Sequence, residues 1–133
     1  MRLRVSAALL LALAGAISIS CGGITDPSQN QVETFSGSVP PGQGSINHFS
    51  ASKTGEIQIK IATLTPASVP VVYVQWVGNG DGSCNGGLFQ AGLGSVGTTA
   101  ISGQITSGSY CVAVSDYVGQ TVTANYTVTV SHP

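Results

Sequence analysis

Apolar and polar residues alternate with a period of two along much of this chain, and that period marks strands. The clearest case is Ile57, Ile59 and Ile61, with Gln58 and Lys60 between them. One face of such a segment is apolar and the other wet, as in an antiparallel sheet packed on one side. Tyr126, Val128 and Val130 repeat the pattern against Asn125, Thr127 and Thr129. Tyr110, Val112 and Val114 face one way, with Cys111 and Ala113 the other. Residues 32–39, 46–51 and 98–105 read as further strands; in the second, His48 and Ser50 share one face and Asn47 and Phe49 the other. Residues 71–77 are apolar nearly throughout, which predicts a central strand covered on both sides, with Trp76 in the core.

Turn signals separate these runs. Pro40-Pro41-Gly42-Gln43-Gly44, Thr54-Gly55, the stretch from Pro66 to Pro70, Ser107-Gly108 and the stretch from Asp116 to Gln120 all punctuate the pattern. Residues 78–97 carry Gly78, Gly80, Gly82, Gly86, Gly87, Gly92, Gly94 and Gly97, and read as a long loop or a pair of weak strands. About seven or eight short strands spaced by turns predict an all-β fold. An open meander of that size would leave sheet faces uncovered, so an antiparallel β-sandwich of two packed sheets is expected.

The N-terminal stretch follows another rule. Arg2 and Arg4 precede an apolar run over residues 7–19, which is too short to cross a bilayer comfortably. A charged start, a short apolar stretch and small residues before a cleavage point make a secretory signal. The expected organisation is a signal over residues 1–20, a tether without periodicity over 21–31, and a β-sandwich domain over 32–133.

Composition narrows the function classes. Beyond the signal, Lys53 and Lys60 stand against Asp26, Glu33, Glu56, Asp81 and Asp116. Such a mildly acidic domain has no basic patch to neutralise phosphates, so nucleic acid is not an expected partner. Gly, Ser, Thr and Val dominate, and the β-branched residues suit a pleated surface.

The three cysteines are Cys21, Cys84 and Cys111, an odd number for an exported chain. If Cys21 is otherwise engaged, Cys84 and Cys111 remain as a pair, and an oxidising compartment favours a disulfide between them. The alternative is a metal site, which would need further ligands; His48 and His132 are remote in sequence from the pair and from each other.

Candidate chemistry is thin. A hydrolase needs a base held beside a nucleophile. His132 lies in the last two residues of the sequence and is expected to fray, and His48 is expected at a surface or pocket edge. Asn79-Gly80-Asp81-Gly82-Ser83 has the alternating oxygen donors of a calcium-loop opening, but the bidentate Glu position of an EF-hand falls on Gln90. The stretch is read as a glycine-rich turn, with calcium shared by Asp81 and Asp116 as the alternative. No cofactor is expected. Tyr73, Trp76, Tyr110, Tyr117 and Tyr126 could include a sugar-stacking platform, although aromatics spread over several strands more often form core.

Ile17-Ser18-Ile19-Ser20-Cys21 resembles the bacterial lipoprotein signal, in which small residues precede a cysteine that is lipidated. The resemblance implies a lipid on Cys21, a membrane partner through that lipid, and a place in the bacterial cell envelope. Gly22, where an aspartate often signals inner-membrane retention, implies the outer membrane if the cell has one. Ser18-Ile19-Ser20 also suits ordinary signal cleavage, which would leave a secreted or periplasmic domain.

Ser107-Gly108-Ser109-Tyr110-Cys111-Val112-Ala113-Val114, followed by Ala124-Asn125-Tyr126-Thr127-Val128-Thr129-Val130, resembles the closing strands of bacterial pre-peptidase C-terminal domains. Phe35-Ser36-Gly37-Ser38-Val39, His48-Phe49-Ser50-Ala51 and Ile57-Gln58-Ile59 are compatible with that family's front half. The resemblance implies a jelly-roll-like β-sandwich with no catalytic residues, of a kind that accompanies exported enzymes and in some relatives binds collagen, carbohydrate or calcium. Here the cysteine pair is additional and an acidic calcium cluster is lacking, so no ligand is carried over. The expected function is a non-enzymatic, lipid-anchored envelope protein with a binding or structural domain. The alternative is an accessory module for polysaccharide or extracellular protein; a small hydrolase is the remaining reading.

Overall fold

The computed structural model describes residues 27–133; the expected signal, Cys21 and the start of the tether lie outside the described residues. The described strands are β1 (Gln31–Val39), β2 (Gly44–Ala51), β3 (Gly55–Thr65), β4 (Val72–Gly80), β5 (Leu88–Gly94), β6 (Thr99–Ile105), β7 (Gly108–Ser115) and β8 (Ala124–His132). They form two four-stranded sheets in the orders β1-β8-β3-β6 and β2-β7-β4-β5, with every strand pairing antiparallel. Two sheets that exchange the chain in this order make an eight-stranded jelly roll.

The period-two reading maps directly onto the interior. Ile57, Ile59 and Ile61 of β3, Val112 and Val114 of β7, and Val128 and Val130 of β8 are all buried between the sheets. Burial of branched side chains from both inner faces is the main favourable term, at about 1.5–3 kcal/mol for each large aliphatic side chain. Trp76 joins this core, stacked on Phe89 at 4.7 Å and set edge-on to Tyr110 at 5.8 Å.

Four expectations change. The strand over 71–77 is covered on one side only: Val72, Val74 and Trp76 are buried, whereas Tyr73, Gln75 and Val77 are half-buried on the outer face. Residues 27–31, expected to lack regular structure, are ordered: Pro27–Gln29 form a 3-10 turn, Asn30 Nδ2 donates to the Glu56 carbonyl at 3.2 Å, and Gln31 opens β1. His132 does not fray. It is fully buried at the end of β8, with Nε2 2.8 Å from Glu33 Oε1 and its ring 5.3 Å from Phe49.

The fourth change lies in the glycine-rich stretch, where β5 forms. A Cβ on Gly92 would sit 2.1 Å from the Ala100 carbonyl oxygen, and one on Gly94 would sit 2.6 Å from Ile61 Cγ1. These glycines let the edge of one sheet close onto the other, so their role is proximity. Gly92→Ala is expected to force β5 away from β6 and cost about 1–3 kcal/mol, the usual range for overpacking. A urea midpoint equal to that of the wild type would contradict this.

Candidate functional site

The two outer faces differ in chemistry. None of β2, β4, β5 and β7 contains an Asp, Glu, Lys or Arg, whereas Glu56 and Lys60 alternate outward from the buried isoleucines of β3; Glu33 of β1 lies on the covered side, against His132. The first sheet is also covered with hydroxyls: Ser36 bonds Thr127 at 3.1 Å and Ser38 donates to Asn125 at 2.8 Å. The second presents apolar groups. Its register aligns Ile46, Ala113, Gln75 and Ala91 in one row, and Tyr73 with Leu93 in the next. Ile46, Leu88 and Leu93 are each about half exposed. Tyr117 stacks beside Tyr73 at 6.2 Å and borders the same sheet.

A row of the same sheet holds the cysteine chemistry. His48 of β2 pairs with Cys111 of β7, which pairs with Val77 of β4. Cys84 reaches over this row from the β4–β5 loop and is disulfide-bonded to Cys111, with Cα atoms 5.6 Å apart. The loop is tied at several points. Gly82 N–H donates to the Ser109 carbonyl at 3.0 Å, Ser83 N–H to Asp81 Oδ1 at 2.8 Å, and Gly87 N–H to Asn79 Oδ1 at 3.2 Å. Those bonds hold Cys84 against β7 where the chain alone would leave it free.

The His48 ring lies against both sulfurs. Nδ1 is 3.6 Å from Cys84 Sγ and 3.5 Å from Cys111 Sγ, and Nε2 is 3.5 Å from Cys84 Sγ. Cys111 is fully buried and His48 is exposed. Position in sequence concealed this cluster. Only the β2–β7 pairing brings His48 to the cysteines, and the outward alternation of His48 and Cys111 was its one available signal. The three side chains have the donor set of a Cys₂His metal site. With the disulfide formed, the sulfurs are not thiolates, and the thiolate is the form that binds metal.

The other candidates separate. Asp81 bridges to Ser109 near the start of β7, whereas Asp116 follows its far end. The length of β7 between them, roughly 20 Å at the usual rise, excludes a calcium ion shared by Asp81 and Asp116. Asp116 instead organises turns. Its Oδ1 accepts the N–H groups of Val118, Gly119 and Gln120, and its Oδ2 those of Gly42 and Gln120. The Gly42 bond, then those of Gln120, Gly119 and Val118, hold its pKa below the ordinary value against a smaller opposing effect of desolvation. A lowered folded-state pKa stabilises the fold above the ordinary carboxylate range, and that contribution is lost as pH falls through the lowered value. Asp116→Asn is therefore expected to melt lower at neutral pH and to show a shallower acid decline than wild type. Parallel melting-temperature profiles would contradict it.

Of the five aromatics considered for sugar stacking, Trp76, Tyr110 and Tyr126 are interior, while Tyr73 and Tyr117 remain at the surface. His132 has no solvent face, and its nitrogens meet Glu33 Oε1 and the Pro133 carbonyl. A concavity of about 350 Å³ lies between β3 and β6, lined in part by Glu56, Gln58, Ser102 and Gln104; it belongs to the hydroxyl-rich sheet, away from the disulfide.

The fold and this face define a β-sandwich with one uncharged, partly apolar sheet surface built around a histidine-flanked disulfide. No family model matches the chain, and no curated protein matches it significantly. No helix of the described residues is long and apolar enough to cross a membrane.

Proposed function

We propose that this chain is a non-enzymatic, lipid-anchored protein of the bacterial cell envelope whose sandwich offers the outer face of β2-β7-β4-β5 to a partner. The observation that carries the binding face is the absence of charge from all four of its strands, together with half-exposed Ile46, Leu88 and Leu93. A sheet face that served only to be solvated would resemble the hydroxyl-rich face opposite, whereas this one exposes apolar side chains on both of its edge strands with no charge between them. The lipoprotein-like signal supports a lipid on Cys21, and Gly22 favours the outer membrane. The likeness to pre-peptidase C-terminal domains supports a partner that is a polysaccharide or an extracellular protein. The test places the mature domain and its Ile46→Glu variant on arrays of glycans and envelope proteins. Ile46 is half exposed, so the variant keeps the fold while putting a charge on the face. Equal binding by both forms overturns the assignment of the face. Intact mass of membrane-extracted protein tests the anchor, and a mature chain without acyl mass overturns it.

A second reading, an accessory carbohydrate-binding module in soluble form, is favoured by the Tyr73–Tyr117 pair at the border of this face. It requires glycan binding that Tyr117→Ala abolishes.

A further inference from the structure

We propose that Cys84–Cys111 is a thiol-reactive disulfide with His48 as its proton-transfer group, so that the exposed sheet face can capture a thiol covalently. The proposal stands apart from the identity of any partner on that face. Three observations carry it. The two sulfurs differ in access: Cys111 is fully buried, and Cys84 is half-buried on a surface loop. The imidazole contacts both sulfurs within 3.6 Å and is itself exposed. The four strands of this sheet hold no charged side chain, and Asp81, the acid in the loop that carries Cys84, has its Oδ1 on the Ser83 N–H, which leaves His48 as the titratable group seen against the sulfurs.

The asymmetry decides which bond forms. An incoming thiol reaches Cys84 Sγ from solvent, and Cys111 Sγ, beneath it, becomes the leaving group. A thiolate left in a buried apolar site is a poor leaving group, because burial raises the pKa of a thiol, and exchange slows as the leaving thiol becomes more basic. His48 removes that obstacle. Nε2 contacts Cys84 alone and takes the proton of the incoming thiol, while Nδ1–H, 3.5 Å from Cys111 Sγ, gives its proton to the departing sulfur. The ring ends in its other neutral tautomer.

The balance is complete. One thiol, R–SH, and the Cys84–Cys111 disulfide become a Cys84–S–S–R mixed disulfide and a Cys111 thiol. The S–S bond within the protein breaks, a new one forms to R, and no further oxidant or reductant enters. The hydrogen bonds from Gly82, Ser83 and Gly87 keep the loop in place after the bond breaks, so Cys111 can attack Cys84 and release R.

The test exposes the folded, oxidised protein to 2-mercaptoethanol, quenches in acid, alkylates free thiols and maps the peptides by mass. The expected product carries the thiol on Cys84 and the alkyl group on Cys111. His48→Gln, which preserves size and polarity, is expected to slow adduct formation about a hundredfold, the low end of a positioned acid–base group. Far-UV circular dichroism of the variant checks that its sheets are intact. An adduct formed mainly on Cys111 overturns the assigned direction of attack, a result that needs only the wild-type protein. An unchanged rate in the folded variant overturns the role of His48.

Discussion

Trp76→Ala is expected to destabilise the domain by about 3–5 kcal/mol, the usual cost of emptying a buried aromatic site. Trp76 is only 4% exposed and lies on the inner face of β4. Its ring meets Tyr110 of the core edge-on and stacks on half-exposed Phe89 of β5. Removing it leaves Phe89 without its stacking partner at the edge strand, where β5 has only β4 as a neighbour in its sheet. Folded domains hold about 5–15 kcal/mol in all, so the loss is a large fraction. Urea denaturation reads it as a lower midpoint at unchanged slope. A variant with wild-type stability would show that Trp76 is not the core residue its burial implies.

Removing the disulfide, with Cys84→Ala and Cys111→Ala together, is expected to cost nearly as much. The crosslink spans a sequence separation of 27 residues. The chain-entropy account gives such a loop about 3.5 kcal/mol, by denying the unfolded chain its freedom. At about 4–8 °C per kcal/mol for a domain near this size, the melting temperature falls by roughly 15–30 °C. Wild type scanned in excess reductant should melt with the double variant. If the double variant melts with oxidised wild type, the crosslink contributes nothing to stability. The double substitution is the informative one, because Cys84→Ala alone leaves a thiol at Cys111 beneath His48 and mixes two effects.

Much of the interior was legible because a strand declares its buried face locally. Ile57, Ile59 and Ile61 need only their own spacing to be assigned inward, and so do Tyr126, Val128 and Val130. The reading failed where a neighbour in space decides. The glycines of residues 78–97 read equally as a long loop or weak strands, and spacing could not show that Gly92 and Gly94 are small because Ala100, Ile61 and Val74 approach them closely. His132 looked like a loose terminus, yet pairing of β8 with β1 sets it against Glu33. Residues 71–77 looked doubly covered because Tyr73 and Val77 are apolar; they are outer-face residues of the uncharged sheet.

The cysteine cluster divides in the same way. Setting Cys21 aside by its place after the apolar run left Cys84 and Cys111 as the expected pair, and the structure joins them. His48, 36 residues from one and 63 from the other, could not be joined to them by any local pattern.

By itself the sequence determined an all-β chain, the inward face of most strands, the scarcity of charge and the cysteine pair. These follow from residue type and from spacing between near neighbours, which act over a few ångströms along one strand. Only the tertiary structure decided that the four uncharged strands share one sheet, and that His48 lies against the disulfide. Apart from the consecutive pair β4 and β5, the order β2-β7-β4-β5 joins strands distant in the chain, through connections crossing between the sheets. Such an order is selected by how two whole sheets bury their faces together, and so it has no signature in any single stretch of the chain.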